Sequence, residues 1–77
     1  MDTFDWKLLY TLYETRNITR AAQKLYLSQP TITKKIQQIE EEFDTSLIVR
    51  QSRGIALTPE GLILVEKAQQ FMNEYEE

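Results

Sequence analysis

Residues 27–40 read LSQPTITKKIQQIE, and their spacing decides how the rest of the chain is read. Ser28 has the side chain of a helix N-cap, because its hydroxyl can accept an orphan N–H, and Pro30 is tolerated in a first turn that needs no intrahelical N–H bond. Ile32, Ile36, Ile39 and Phe43 then recur at i, i+4, i+7 and i+11, within about 60° of one another on a helical wheel, and predict a buried stripe. Pro30, Thr33, Lys34, Gln37 and Gln38 lie about 100 to 240° away, on the outward face. That face carries hydroxyls, amides and lysine but no acid in its early turns; Glu41 joins it only later. On periodicity alone, an ordinary amphipathic helix with a solvated polar side accounts for the pattern.

Charge elsewhere in the chain argues for more. The formal net charge is −3 and the sequence pI about 4.9, which by itself speaks against a polyanionic partner, since phosphate binding rests on clustered Lys and Arg. The charges are segregated, however. Between Thr15 and Ile39 there is no Asp or Glu, while Arg16, Arg20, Lys24, Lys34 and Lys35 all lie there; between Thr45 and Pro59 there is again none, with Arg50 and Arg53. Two separate acid-free windows favour an anion-binding face over basic residues that merely decorate a solvated surface.

Seventy-seven residues make one small domain, which buries only about 60 to 65% of the surface its unfolded chain exposes, so help from a second chain is expected. The absence of cysteine and histidine removes disulfides, thiolate nucleophiles, Cys/His zinc sites and imidazole bases together. No metal or cofactor is expected. A hydrolase built on Glu40, Glu41 or Glu42 ranks far below any binding role, because consecutive carboxylates on a helix point in different directions. No apolar run approaches the roughly 18 residues of a membrane span and no signal-peptide pattern opens the chain, so the expectation is a soluble cytoplasmic protein without a membrane partner.

Upstream of the quoted stretch, FDWKLLYTLY (4–13) places Phe4, Leu8 and Leu12 on one stripe and Trp6, Leu9, Tyr10 and Tyr13 on the next, too wide a face for one neighbour. Asn17 and Thr19 can cap a short second helix bearing Ala21, Ala22 and Leu25, starting near Thr19. Downstream, LIVR (47–50) and IALT (55–58) flank QSRG, whose Gly54 suits a positive φ; this is a small hairpin, expected to lean on the helices through Leu47, Val49 and Leu57. Thr58 as N-cap, Pro59 and Glu60 open a last helix towards Tyr75. Helix, short helix, tight turn, longer helix, hairpin, helix is the order of a winged helix-turn-helix: mainly α, with a three-helix core, a two-stranded wing and a long C-terminal linker helix. Residues 1–58 are expected to form the domain, and residues 59–77 the helix that the family resemblance given below makes a linker. In such a fold the helix after the turn enters the major groove, where a carboxylate would be repelled and hydroxyls, amides and lysines can donate hydrogen bonds.

The stretch ITRAAQKLYLSQPTITKKIQQIEEEFDTSLIVRQSRGIALTPEG (18–61) also resembles the N-terminal DNA-binding domain of LysR-type transcriptional regulators. The shared pattern is a Phe/Ile-Thr-x-Ala-Ala start, a Ser-Gln-Pro turn, a Leu-Glu-Glu-Glu-like helix end, an Arg-x-x-Arg-Gly wing and a Leu-Thr-x-x-Gly opening to the linker helix. The resemblance implies double-stranded DNA as partner, with Gln29, Pro30, Thr33 and Lys34 at base edges of the major groove and Thr31 and Gln37 as secondary members. It implies Arg53 on the wing in a minor groove, with Arg50 beside it, and Arg16, Arg20, Lys24 and Lys35 against phosphates. It further implies a homodimer on an interrupted palindrome, paired through Leu64, Ala68, Phe71, Met72 and Tyr75 of the linker helix, and a tetramer in a full-length protein. Family members carry a C-terminal effector-sensing domain after the linker helix. A chain ending at Glu77 is then a fragment or a naturally short protein, and a small-molecule effector would act only through that domain.

Some positions depart from the family pattern. Thr33 stands where Ser is common, and Lys34 where Arg is common; a lysine is a flexible point charge and cannot reproduce the two-donor fork that Arg offers guanine. Ile48 replaces a frequent Phe on the wing. Pro30 would suit a helix start without any DNA, and its functional reading is apolar contact with a thymine methyl. Arg53 sits at a hairpin tip where no core needs a long cation, which favours wing contact over decoration. A different class stays open beside DNA binding: an interaction module in which the helix-turn-helix is a scaffold and the linker helix or acidic tail holds a protein partner.

Overall fold

In the computed structural model the backbone is described for residues 1–76 and side chains for residues 1–74. The elements run α1 (Thr3–Thr15), α2 (Ile18–Leu25), α3 (Gln29–Phe43), β1 (Ile48–Arg50), β2 (Ile55–Leu57) and α4 (Pro59–Glu76). Helix starts follow from side chains that accept orphan N–H groups. Asp2 caps α1 in a reciprocal box with Asp5, Asn17 Oδ1 accepts from Arg20 N at 2.9 Å, and Ser28 Oγ accepts from Thr31 N at 3.3 Å. The second helix therefore begins at Ile18, one residue before Thr19, because Asn17 is the cap. Three helices end on left-handed residues, Arg16, Tyr26 and Asp44, positions where glycine usually avoids the steric cost of a Cβ.

The wide apolar face of α1 has the two neighbours its width demands. α1 packs along α4 and against α2, while α3 packs on α2. Leu8, Leu9, Leu12, Ile32 and Leu47 are the large side chains wholly withdrawn from water, each contributing about 1.5 to 3 kcal/mol of burial. Ala21 and Ala22, small and buried, let α2 approach its neighbours closely.

Two expected core positions stay outside. Phe43 is 44% exposed: it is in phase with Ile32, Ile36 and Ile39, but it is the last residue of α3, and helical phase fixes a direction without guaranteeing that a neighbour extends so far. Val49 is 52% exposed. The antiparallel register pairs Ile48 with Leu57 and Val49 with Ala56, so Ile48 and Leu57 share the face that packs on the core and Val49 takes the other. Leu47 is buried because it precedes the strand, where the two-residue alternation does not yet apply.

Side chains and backbone tie the wing down at both ends. At its base, Leu47 N donates to Glu40 Oε2 at 2.8 Å, Thr58 N donates to Leu47 O at 3.0 Å, and Thr58 Oγ1 donates to Ser46 O at 2.6 Å while accepting from Gly61 N at 3.0 Å. Towards the tip, Ile55 N donates to Arg16 O at 2.9 Å and Gln51 N to Gly54 O at 3.0 Å. Gly54 has φ +82°, and a Cβ there would overlap the Arg16 carbonyl oxygen, so conformation and space both require glycine.

Candidate nucleic-acid interface

The first turns of α3 stand open to solvent. Gln29, Pro30, Thr31, Lys34 and Gln37 are exposed and Thr33 is half-buried. Gln29, Pro30, Thr33, Lys34 and Gln37 line one open concavity, so the residues that wheel arithmetic places outward do share a surface. Thr31 is held apart from them: its hydroxyl lies 2.9 Å from Ser28 Oγ, which engages it in the cap. Helix α3 has no acid in its first turn, and the partial positive charge of a helix N-terminus adds to Lys34 there. Beyond Gln37 the character reverses, because a neighbouring hollow is lined by Glu40, Glu41 and Asp44 together with Gln37.

A second cleft joins this helix to the wing, lined among others by Asn17, Thr19, Gln29, Arg50, Gln51 and Gly54. Gln29 belongs to both hollows and links the helix start to the hairpin. Asn17 and Thr19 are legible from sequence only as helix-capping types and Gln51 not at all, because the cleft forms only where the fold brings the α1–α2 turn against the hairpin. Arg53 is exposed at the tip beside Gly54.

The other cations differ in their surroundings. Arg20, Arg50, Arg53 and Lys34 make no ion pair among the described residues. Arg16 has its guanidinium 5.1 Å from the centre of the Tyr13 ring, and its Nε donates to Tyr13 O at 3.0 Å. Lys24 lies 3.7 Å from Glu14 across open surface, a contact that water and salt screen to little. Lys35 departs from the expected placement, since its ammonium is 3.3 Å from Asp5 Oδ1 and 5.8 Å from the Phe4 ring centre, turned towards α1.

On α4, Leu64 and Ala68 are 9% and 0% exposed and belong to the monomer's own core rather than to a free face, because α4 lies along α1. The surface left over there comprises Leu62 and Ile63, 44% and 57% exposed, with Phe71 and Met72 half-buried; Phe71 stacks on Trp6 at 6.2 Å. The Tyr75 side chain lies outside the described residues.

The family model of the bacterial regulatory helix-turn-helix proteins, lysR family, matches residues 4–62. The chain belongs to the lysR family. The match ends four residues into α4, so it covers the helix-turn-helix and wing, and most of α4 lies beyond it. YraN, an uncharacterized HTH-type transcriptional regulator of Bacillus subtilis (strain 168), is 39% identical over the whole of this chain and 27% of its own. Among solved structures, the complex of the BenM DNA-binding domain with catB site 1 DNA superposes with TM-score 0.90 at 30% identity, covering 99% of this chain and 82% of that one. The complex of the CbnR DNA-binding domain with DNA gives 0.89 at 32%, covering 99% and 87%. These likenesses make the mainly helical fold a lysR-type winged helix-turn-helix. The chain spans about a quarter of the length of the curated lysR-type relatives it matches. Among the described residues, no helix is long and apolar enough to cross a membrane and no acidic cluster could hold a metal ion.

Proposed function

We propose that this chain is the DNA-binding part of a LysR-type transcriptional regulator and reads double-stranded DNA with α3 in the major groove. The observation that carries the reading is the acid-free hollow formed by Gln29, Pro30, Thr33, Lys34 and Gln37, the surface that the two DNA-complexed neighbours lead one to look for. Gln29, Thr33 and Gln37 supply amide and hydroxyl groups for base edges, Lys34 a mobile cation for an acceptor or phosphate, and Pro30 apolar contact. Arg53 and Arg50 on the wing reach the flanking groove and backbone, while Arg16, Arg20 and Lys24 meet phosphates.

Dimerisation belongs to the same proposal, through the α4 surface that the monomer leaves exposed at Leu62 and Ile63, with half-buried Met72 further along the helix. A two-fold pair of α3 helices would read an interrupted palindrome. The regulator acts in the cytoplasm, on DNA and without enzymatic chemistry, and any small-molecule control belongs to a further domain. Selection of bound sequences from a random duplex pool tests the whole reading: enrichment of a two-fold site supports it, and a pool that stays random rejects it.

A further inference from the structure

We infer that Lys35 positions the recognition helix by its hold on α1, through Asp5, and is not one of the side chains that hold DNA phosphate. The inference rests on the DNA-binding reading above and divides two adjacent lysines by role. Successive residues on a helix point about 100° apart. Lys34 lines the open hollow of α3; Lys35 turns back towards α1, where its ammonium lies 3.3 Å from Asp5 Oδ1, with the two side chains 34% and 13% exposed. The same ammonium sits 5.8 Å from the Phe4 ring centre, within the range of a cation–π contact.

Asp5 is held as firmly from its own side. Its N–H donates to Asp2 Oδ1 at 2.9 Å and its Oδ2 accepts from Asp2 N at 3.3 Å, which fixes the carboxylate at the start of α1. Its other oxygen, Oδ1, is buried and accepts no well-aligned hydrogen bond, so the charge of Lys35 is what compensates it. Breaking a partly buried pair leaves a charge without its counterpart and frees both helices to shift. Trp6, the next residue on α1, stacks against Phe71 of α4. One turn of α1 thus touches the recognition helix on one side and the linker helix on the other, and the Lys35–Asp5 pair sets the angle at which α3 is presented.

Two readings of Lys35 give different outcomes for a change at Asp5. If electrostatics alone mattered, Asp5→Asn would remove a negative charge from a DNA-binding protein and strengthen binding to every duplex. As a positioning change, Asp5→Asn lowers the ratio of preferred-site to random-duplex affinity by roughly fivefold, the lower end of what one mismatched base pair costs, and leaves the salt dependence as it was. Lys35→Gln behaves in the same way, and Lys35→Arg, which keeps the charge opposite Asp5, retains most of the ratio. The experiment is a salt titration of the whole chain and these variants on the selected site and on random duplex, each well below its own Tm. A slope shallower by about one unit in Lys35→Gln with the ratio intact, as loss of a phosphate contact would give, overturns the inference, and so does an unchanged ratio in Asp5→Asn. A parent chain that binds no duplex overturns the DNA-binding reading itself, which separates the two failures.

Discussion

The Glu40 carboxylate accepts the backbone N–H of Leu47 at 2.8 Å, joining the end of α3 to the entry of the wing. Leu47 is wholly buried, so its N–H has no water to turn to. Replacing Glu40 with Ala leaves that donor unpaired and should cost about 1 to 3 kcal/mol. Glu40→Gln keeps an acceptor in place and should cost less. Urea denaturation of the two variants measures the difference, and equal losses would show that the bond contributes nothing specific.

Gly54→Ala should be among the most damaging changes on the wing. The residue has a left-handed backbone, and a Cβ would meet the Arg16 carbonyl that accepts the Ile55 N–H. A left-handed conformation alone costs a non-glycine residue about 1 to 2 kcal/mol, and the collision adds to it. Thermal unfolding should show the loss. Duplex binding measured at a temperature where the variant is folded should weaken as well, since the wing can no longer close against the α1–α2 turn.

How far the chain could be read without coordinates depends on which residues are considered. The stripe of Ile32, Ile36 and Ile39, the N-caps at Ser28 and Thr58 and the positive φ of Gly54 follow from local chemistry, and the structure has them all. Phe43 and Val49 do not follow, because phase and alternation say which way a side chain points and not what lies there. The two lysines teach the same lesson. Wheel arithmetic places Lys34 on the outward face and leaves Lys35 off it, whereas the acid-free window and the resemblance both put Lys35 with the anion-binding cations. The Asp5 pairing depends on how near the start of α1 comes to α3, which no local pattern encodes. Leu64 and Ala68, which the resemblance places at a dimer interface, lie in the monomer's core for the same reason: the extent to which α1 covers α4 is a tertiary fact.

Thr33→Ala and Gln29→Ala address base readout. Each should lower affinity for the selected site by about 1 to 3 kcal/mol and relax base choice at one position. Equal weakening on random DNA would mean that the two side chains hold the backbone instead. Gln29 is the more telling of the pair, because it borders both the α3 hollow and the wing cleft.

Arg53→Ala should weaken binding and reduce sensitivity to sequence beside the half-site, where groove width rather than base-edge contact is read. Footprinting on sites with altered flanks checks this. A footprint and affinity identical to those of the parent would take the wing tip out of the interface.

The most direct measurement is the affinity of the unaltered chain for its selected duplex as salt is raised. The acid-free face of α3 and the unpaired cations around it predict a linear fall of log K with log salt, steepened by about 0.9 for every phosphate neutralised, and a persistent advantage of the selected site over random duplex. Affinity that ignores salt, or equal affinity for both duplexes at every salt concentration, would contradict it.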